Sequence, residues 1–154
     1  MPSDLWTFAL HLYARPGVEQ ACLRLQADGA DVCLLLCACW LGRRGAAFTS
    51  LRANSLKELC GPWQEQVVKP LRSLRQAWRT QAQADQALAG LRERIKAIEL
   101  DAERELLARL EQTAAGWGGD GVERLQDWLQ GCAPRLEELD RDALDLLRAA
   151  ALAA

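Results

Sequence analysis

Val32-Cys33-Leu34-Leu35-Leu36-Cys37-Ala38-Cys39-Trp40-Leu41 is the stretch whose reading decides the fold. It carries no charge and no side chain that needs water. Asp31 stands before it as a helix N-cap, and Gly42 stands after it as the expected left-handed stop. A helix that is apolar all round must be enclosed by other elements or by lipid. Ten residues rise only about 15 Å, half of a bilayer core, so the enclosure is expected to be protein. The spacing therefore predicts a buried central helix over 32–41, with the rest of the chain packed around it.

Upstream, Leu5, Trp6, Ala9, Leu10 and Tyr13 recur at three- and four-residue steps. They predict a first amphipathic helix capped by Ser3 and running to about Arg15. Pro16-Gly17 breaks it. Val18, Ala21, Cys22 and Leu25 mark a second helix that ends at Asp28-Gly29. Downstream of Gly-Arg-Arg-Gly, the chain is loosely patterned until Asn54-Ser55, which is expected to cap a short helix over 56–60. Gly61 is expected to end that helix. Pro62 is expected to open the next, at the position where a missing N–H is harmless. Trp63, Val67, Leu71, Leu74 and Trp78 then form one face, with a bend or break expected near Gln66–Lys69 because Pro70 removes a helical hydrogen bond.

From Ala84 the steps become those of a heptad seam: Ala84, Leu88, Leu91, Ile95, Ile98 and Ala102, with a one-residue slip before Leu106 and Leu110. Together with the preceding helix, this predicts a long antiparallel helical hairpin over 62–112. The same 84–102 seam offers a second reading, a homodimer interface. Four glycines in 114–121 mark a linker, so residues 1–113 are read as a helical domain and 122–154 as a C-terminal helical hairpin, loosely attached or packed on the same domain. Its first helix carries Val122, Leu125, Trp128 and Leu129. Its last, after Cys132-Ala133-Pro134, carries Leu136, Leu139, Ala143, Leu146 and Leu147. No strand pattern is present. The fold class expected is all-α.

Of the 154 residues, 50% are hydrophobic and 26% charged, which is the composition of a globular chain rather than a disordered one. Nineteen basic and twenty-one acidic residues leave a net charge of −2, which argues against nucleic acid as a partner. The N-terminus lacks the basic and apolar regions of a signal peptide, and no run has the length of a membrane span. A cytoplasmic location is expected.

Six cysteines contain no Cys-x-x-Cys pair. Cys33 and Cys37 lie four residues apart on the central helix, and Cys22 or His11 would complete a metal site. Apolar surroundings disfavour the thiolate that a metal needs, so buried free thiols are the simpler reading. His11 is the only histidine, and no phosphate loop, HExxH or GxSxG is present. No catalytic constellation and no cofactor is expected. The polar feature that stands out is Arg72, Arg75 and Arg79, a stripe beside the Leu71-Leu74-Trp78 face. Glu99 and Glu103 on the following helix, and less directly Glu93 and Asp101, are positioned to meet it in an antiparallel hairpin. Solvated surface charge, or a site awaiting an acidic partner, are the competing readings.

The blocks Leu5-Trp6-Thr7-Phe8-Ala9-Leu10-His11-Leu12-Tyr13, Pro16-Gly17-Val18, Ala21-Cys22-Leu23, Asp31-Val32, Leu34-Leu35-Leu36 and Trp40-Leu41 resemble a family of uncharacterised proteobacterial proteins, a domain of unknown function of the Pseudomonas and Vibrio type. Val68-x-Pro70-Leu71-Arg72, Arg75 and Glu99-Leu100-x-Ala102-Glu103 are also similar. The resemblance spans roughly residues 5–110. The family pattern favours Asn at position 33, so Cys33 is a departure that counts against a metal site. The resemblance implies a lineage and no activity. The expectation is a non-enzymatic interaction or adaptor protein with an unidentified protein partner. The alternative is a small-ligand, metal or thiol sensor using the Cys-rich core.

Overall fold

The protein is an all-α helical bundle, seen in a computed structural model that describes residues 4–133, 135 and 138–154. No strand occurs among the described residues. The axis is α3 (Val32–Arg44), in which every residue from Cys33 to Gly42 is buried. Asp31 Oδ1 accepts a hydrogen bond from Leu34 N at 3.1 Å and so starts the helix as expected. The end differs. Gly42 lies inside α3, and the left-handed residue is Gly45, at φ 81°. Gly42 is there for close approach: a Cβ on it would fall 2.7 Å from Leu125 Cα, and Arg124 N donates to its carbonyl at 2.8 Å.

Two short helices cover one side of α3. In α1 (Leu5–Tyr13) the cap is Asp4, which accepts from Thr7 N at 2.9 Å and from Thr7 Oγ1 at 2.8 Å; Ser3 lies outside the described residues. Entry to α2 (Val18–Ala27) is through Gly17, at φ 80°, and the helix ends at Asp28-Gly29.

The next helix, α4 (Ser50–Trp63), is longer than the short 56–60 helix expected. Thr49 caps it, and it runs straight through Gly61-Pro62. The irregularity falls instead on a π turn, Gln64–Val68, followed by α5 (Lys69–Ala77), with Pro70 in its first turn. Where a bend or break is expected from Pro70, the helix instead passes through a π turn, a common accommodation of irregular helical hydrogen bonding. A short α6 (Arg79–Ala82) reverses the chain. Asp85 then caps α7 (Gln86–Thr113), which runs back antiparallel to α5.

The slip in the seam divides α7 in two. Leu106, Leu107 and Leu110 enter the main core, and Trp63 Nε1 donates to Ala102 O at 2.9 Å. No residue from Lys69 to Ile98 is buried. The outer part of the expected hairpin is therefore an arm, two helices thick, that adds no buried residue to the core and meets the body along α2 at Glu19 and Gln26.

The C-terminal region is not a loosely attached hairpin. α8 (Leu125–Cys132) packs across α3, whereas α9 (Arg141–Ala153) packs on α2. Leu125 and Trp128 are fully buried, and Trp128 Nε1 donates to Ala46 O at 2.8 Å. Asp140 caps α9 and pairs with Arg24 at 3.1 Å, so Leu139 packs just before the helix; Pro134 and Leu136 lie outside the described residues. The glycine-rich stretch expected as a linker is bound to the body. Gly121 N donates to Arg44 O at 3.0 Å, and a Cβ on Gly119 would strike that same carbonyl. Both sides of this stretch share one core.

Candidate functional site

The root of the arm is tied by charge. Glu99 is 5% exposed and takes three hydrogen bonds: from Arg72 Nε at 3.0 Å, from Arg75 Nε at 2.6 Å and from Arg75 Nη2 at 3.2 Å. Arg72 Nη2 also lies 3.6 Å from Glu103 Oε1. The carbonyl oxygen of Gln26, in the amide orientation that satisfies both of its ends, accepts from Arg72 Nε at 3.2 Å and from Nη1 at 2.8 Å. Four of the five stripe residues are therefore together: Arg72, Arg75, Glu99 and Glu103. Arg79 is not with them. The backbone leaves α5 at Trp78, and Arg79 is exposed at the tip near Arg92 and Glu93, with no ion pair among the described residues. Glu93 and Asp101 are exposed as well.

Burial opposes ionisation of Glu99, but the hydrogen bonds and charges of Arg75 and Arg72 outweigh it and hold the carboxyl below its ordinary range. The Glu99 hydrogen bond in turn raises Arg75 further. Glu103 goes the other way. Burial lifts it, against the pull of Arg72.

Beside this network is a cleft of about 390 Å³ between the end of α2, the start of α3, the π turn and α7. Arg72 and Glu103 are on one wall, and Asp31, Gln64 and Cys33 are on the other. Asp31 Oδ1 accepts from Gln64 Nε2 at 3.1 Å as well as capping α3, and burial raises its pKa. Gly61 lines the cleft with open space where its Cβ would be. Sequence reasoning took Asp31 only as a cap and missed the cleft. The one local signal was the pair Pro62 and Pro70 within a single helical pattern, which marks irregular backbone without saying what it faces.

Around the helix axes, the ion network and the cleft share one side of the arm, and the other side exposes a mainly apolar row that also carries Arg94 and Asp101. On α7, Ala87, Leu91, Arg94, Ile98 and Asp101 recur at steps of four and three as one exposed row; Ala84 lies before the helix, ahead of its Asp85 cap. Leu91 is 47% and Ile98 49% exposed. Leu74 on α5 and the half-buried Trp78 at its C-cap lie on the same side. The heptad seam is thus split: Leu88 and Ile95 turn to α5, Leu91 and Ile98 turn outward, and Ala84 lies in the turn before the helix.

All six cysteines are buried free thiols. Burial pushes Cys132 up to about 11 and Cys22 up to about 12, and lifts Cys33 and Cys37 well above the ordinary thiol range. Cys22, Cys33 and Cys37 are not gathered into a metal-holding group among the described residues. His11 is exposed on α1.

These features define a helical-bundle protein carrying a projecting, two-faced helical arm. The chain belongs to the family described as protein of unknown function, DUF2390, whose model matches residues 4–110. No curated protein and no solved structure matches the chain. The matched segment contains the central helix, the cleft and the whole arm, while α8 and α9 lie beyond it. No helix among the described residues is long and apolar enough to cross a membrane.

Proposed function

We propose that the protein is a non-enzymatic interaction or adaptor protein that engages a protein partner through the apolar side of its arm. The observation that carries this reading is the division of the arm. One side is fixed by Arg72 and Arg75 on Glu99, and the other leaves Leu74, Leu91 and Ile98 open to solvent. Large exposed apolar side chains grouped on one side of an element are characteristic of protein contacts. A cytoplasmic location belongs to the same proposal, since six unpaired thiols suit a reducing compartment. The test compares what the immobilised wild-type protein and Leu91→Glu retain from a native lysate. Species held by the wild type and lost by the variant are expected. Identical retention refutes the reading.

The cleft supports a second reading, as a sensor of a small polar molecule. Arg72, Gln64, Asp31 and Glu103 line a concavity of about 390 Å³, within the size range of small-molecule sites. Native mass spectrometry of the protein as purified tests it. A defined non-covalent adduct, lost in Asp31→Asn, is expected if a ligand occupies the cleft.

A further inference from the structure

We infer that the apolar side of the arm is covered by the same side of a second copy of this chain, the two arms packing antiparallel into a four-helix unit about a two-fold axis. The inference rests on the reading of the arm as an interaction surface and names the partner.

A two-helix arm cannot bury its own seam. Each helix turns one half of its apolar positions to the other and leaves the remaining half outside. Here the inner half is Leu88 and Ile95, and the outer half is Leu91 and Ile98, with Leu74 of α5 and Trp78 at its C-cap beside them. Two such arms laid face to face complete the four-helix arrangement that antiparallel helices favour, with Ile98 enclosed and Leu91 at the edge of the contact. The size is suitable. From Ala87 to Asp101 the row is roughly 21 Å long and two helices are roughly 20 Å wide, a footprint about half of the ~800 Å² per partner that a standard interface buries, as suits a pair that forms only at raised concentration.

The charges select this partner and its direction. Within the outward row of α7 the only charged residues are Arg94 and Asp101, seven residues apart and opposite in sign. A two-fold axis near Ala97-Ile98 places each Arg94 beside Asp101 of the second copy, twice over, with Ile98 at the centre. Parallel packing in register would set Arg94 against Arg94 and Asp101 against Asp101. A face whose edge charges pair with themselves under a two-fold rotation is what an isologous interface requires. The polar side stays outside the four-helix unit, so Glu99, the two arginines and the cleft are untouched by it.

The experiment is light scattering and sedimentation equilibrium of the full chain over a micromolar to sub-millimolar concentration series. The wild type is expected to pass from its 17.1 kDa monomer to a dimer as concentration rises. Ile98→Glu should stay monomeric throughout while melting like the wild type. If it melts lower, Leu91→Glu takes its place. Arg94→Asp should weaken the dimer by about tenfold or more, and Arg94→Asp combined with Asp101→Arg should recover most of that loss. A wild type that stays monomeric throughout overturns the inference. So does a dimer that both the apolar and the charge substitutions leave intact. A monomeric wild type that still retains lysate species lost in Leu91→Glu overturns self-pairing and leaves the interaction reading standing. A monomer whose retention is also unchanged overturns both.

Discussion

Glu99 shows how much a single side chain decides here. It is a buried carboxylate whose bonding capacity is taken up by two arginines from the facing helix, so the pairing fixes the register of the arm. Glu99→Gln leaves Arg75 without its counter-charge and Arg72 with only the more distant Glu103, and is expected to cost about 3 kcal/mol, read by urea unfolding. Arg75→Glu should destabilise as well, and Glu99→Arg in that background should restore part of the loss in a double-mutant cycle. The pH dependence has two opposite parts. Glu99 is depressed, so its contribution is complete above the ordinary glutamate value and is lost as pH falls through its own lower value. Glu103 is raised by burial, so its charge weighs on the fold at neutral pH, and that weight lifts as pH falls from its raised value to the ordinary one. Glu103→Gln should therefore raise the melting temperature at neutral pH, with the gain fading in acid. The Arg–Glu pairing was legible because both stripes flank apolar rows of adjacent antiparallel helices. The loss of Arg79 was not, because it depends on where the backbone leaves the helix.

Among elements, α3 behaves as its composition demands. Leu35 is 1% exposed, and Leu35→Asp would bury an unpaired charge at a cost of several kcal/mol, enough to abolish folding of a domain with about 5–15 kcal/mol in hand. A soluble, cooperatively melting Leu35→Asp protein would contradict this. Gly42 gives a subtler test. As a helix stop it would tolerate alanine poorly for reasons of dihedral angle; as a crossing point it fails by collision with the Leu125 backbone. Gly42→Ala should destabilise by about 1–3 kcal/mol despite alanine's better helix propensity, measured by denaturant midpoint. Sequence patterning found the helix and misread its glycine, because a stop and a close approach ask for the same residue. The same ambiguity shortened α4: Gly61-Pro62 resembles a boundary, but the π turn that follows lets the helix continue through it. Likewise, Ile95 and Ile98 are equivalent in a heptad pattern, and only the finished packing turns one inward and the other out.

For the whole molecule, the core is assembled from both ends of the chain. Trp128, from beyond the glycine-rich stretch, is fully buried, its ring edge-on to Phe48 at 5.1 Å and stacked near Trp117 at 6.0 Å. Trp128→Ala is expected to cost about 3–5 kcal/mol, and a chain ending at residue 113 should fail to fold cooperatively, as circular dichroism melts would show. Four glycines in eight residues look like a hinge from composition alone. What makes this stretch a docked loop is the backbone bonding of Gly121 and Arg124 to Arg44 and Gly42, contacts that no local pattern encodes. The cleft was hidden for the same reason, since its walls come from helices far apart in sequence.

The six enclosed thiols make this chain an unusually convenient subject for spectroscopy. Because each is buried and held protonated, none competes for a sulfhydryl-specific reagent while the fold persists. Ser73→Cys or Gln83→Cys, at exposed positions on the arm, would give a unique attachment point in an otherwise untouched sequence. A nitroxide or fluorophore coupled there would follow the arm's surroundings directly.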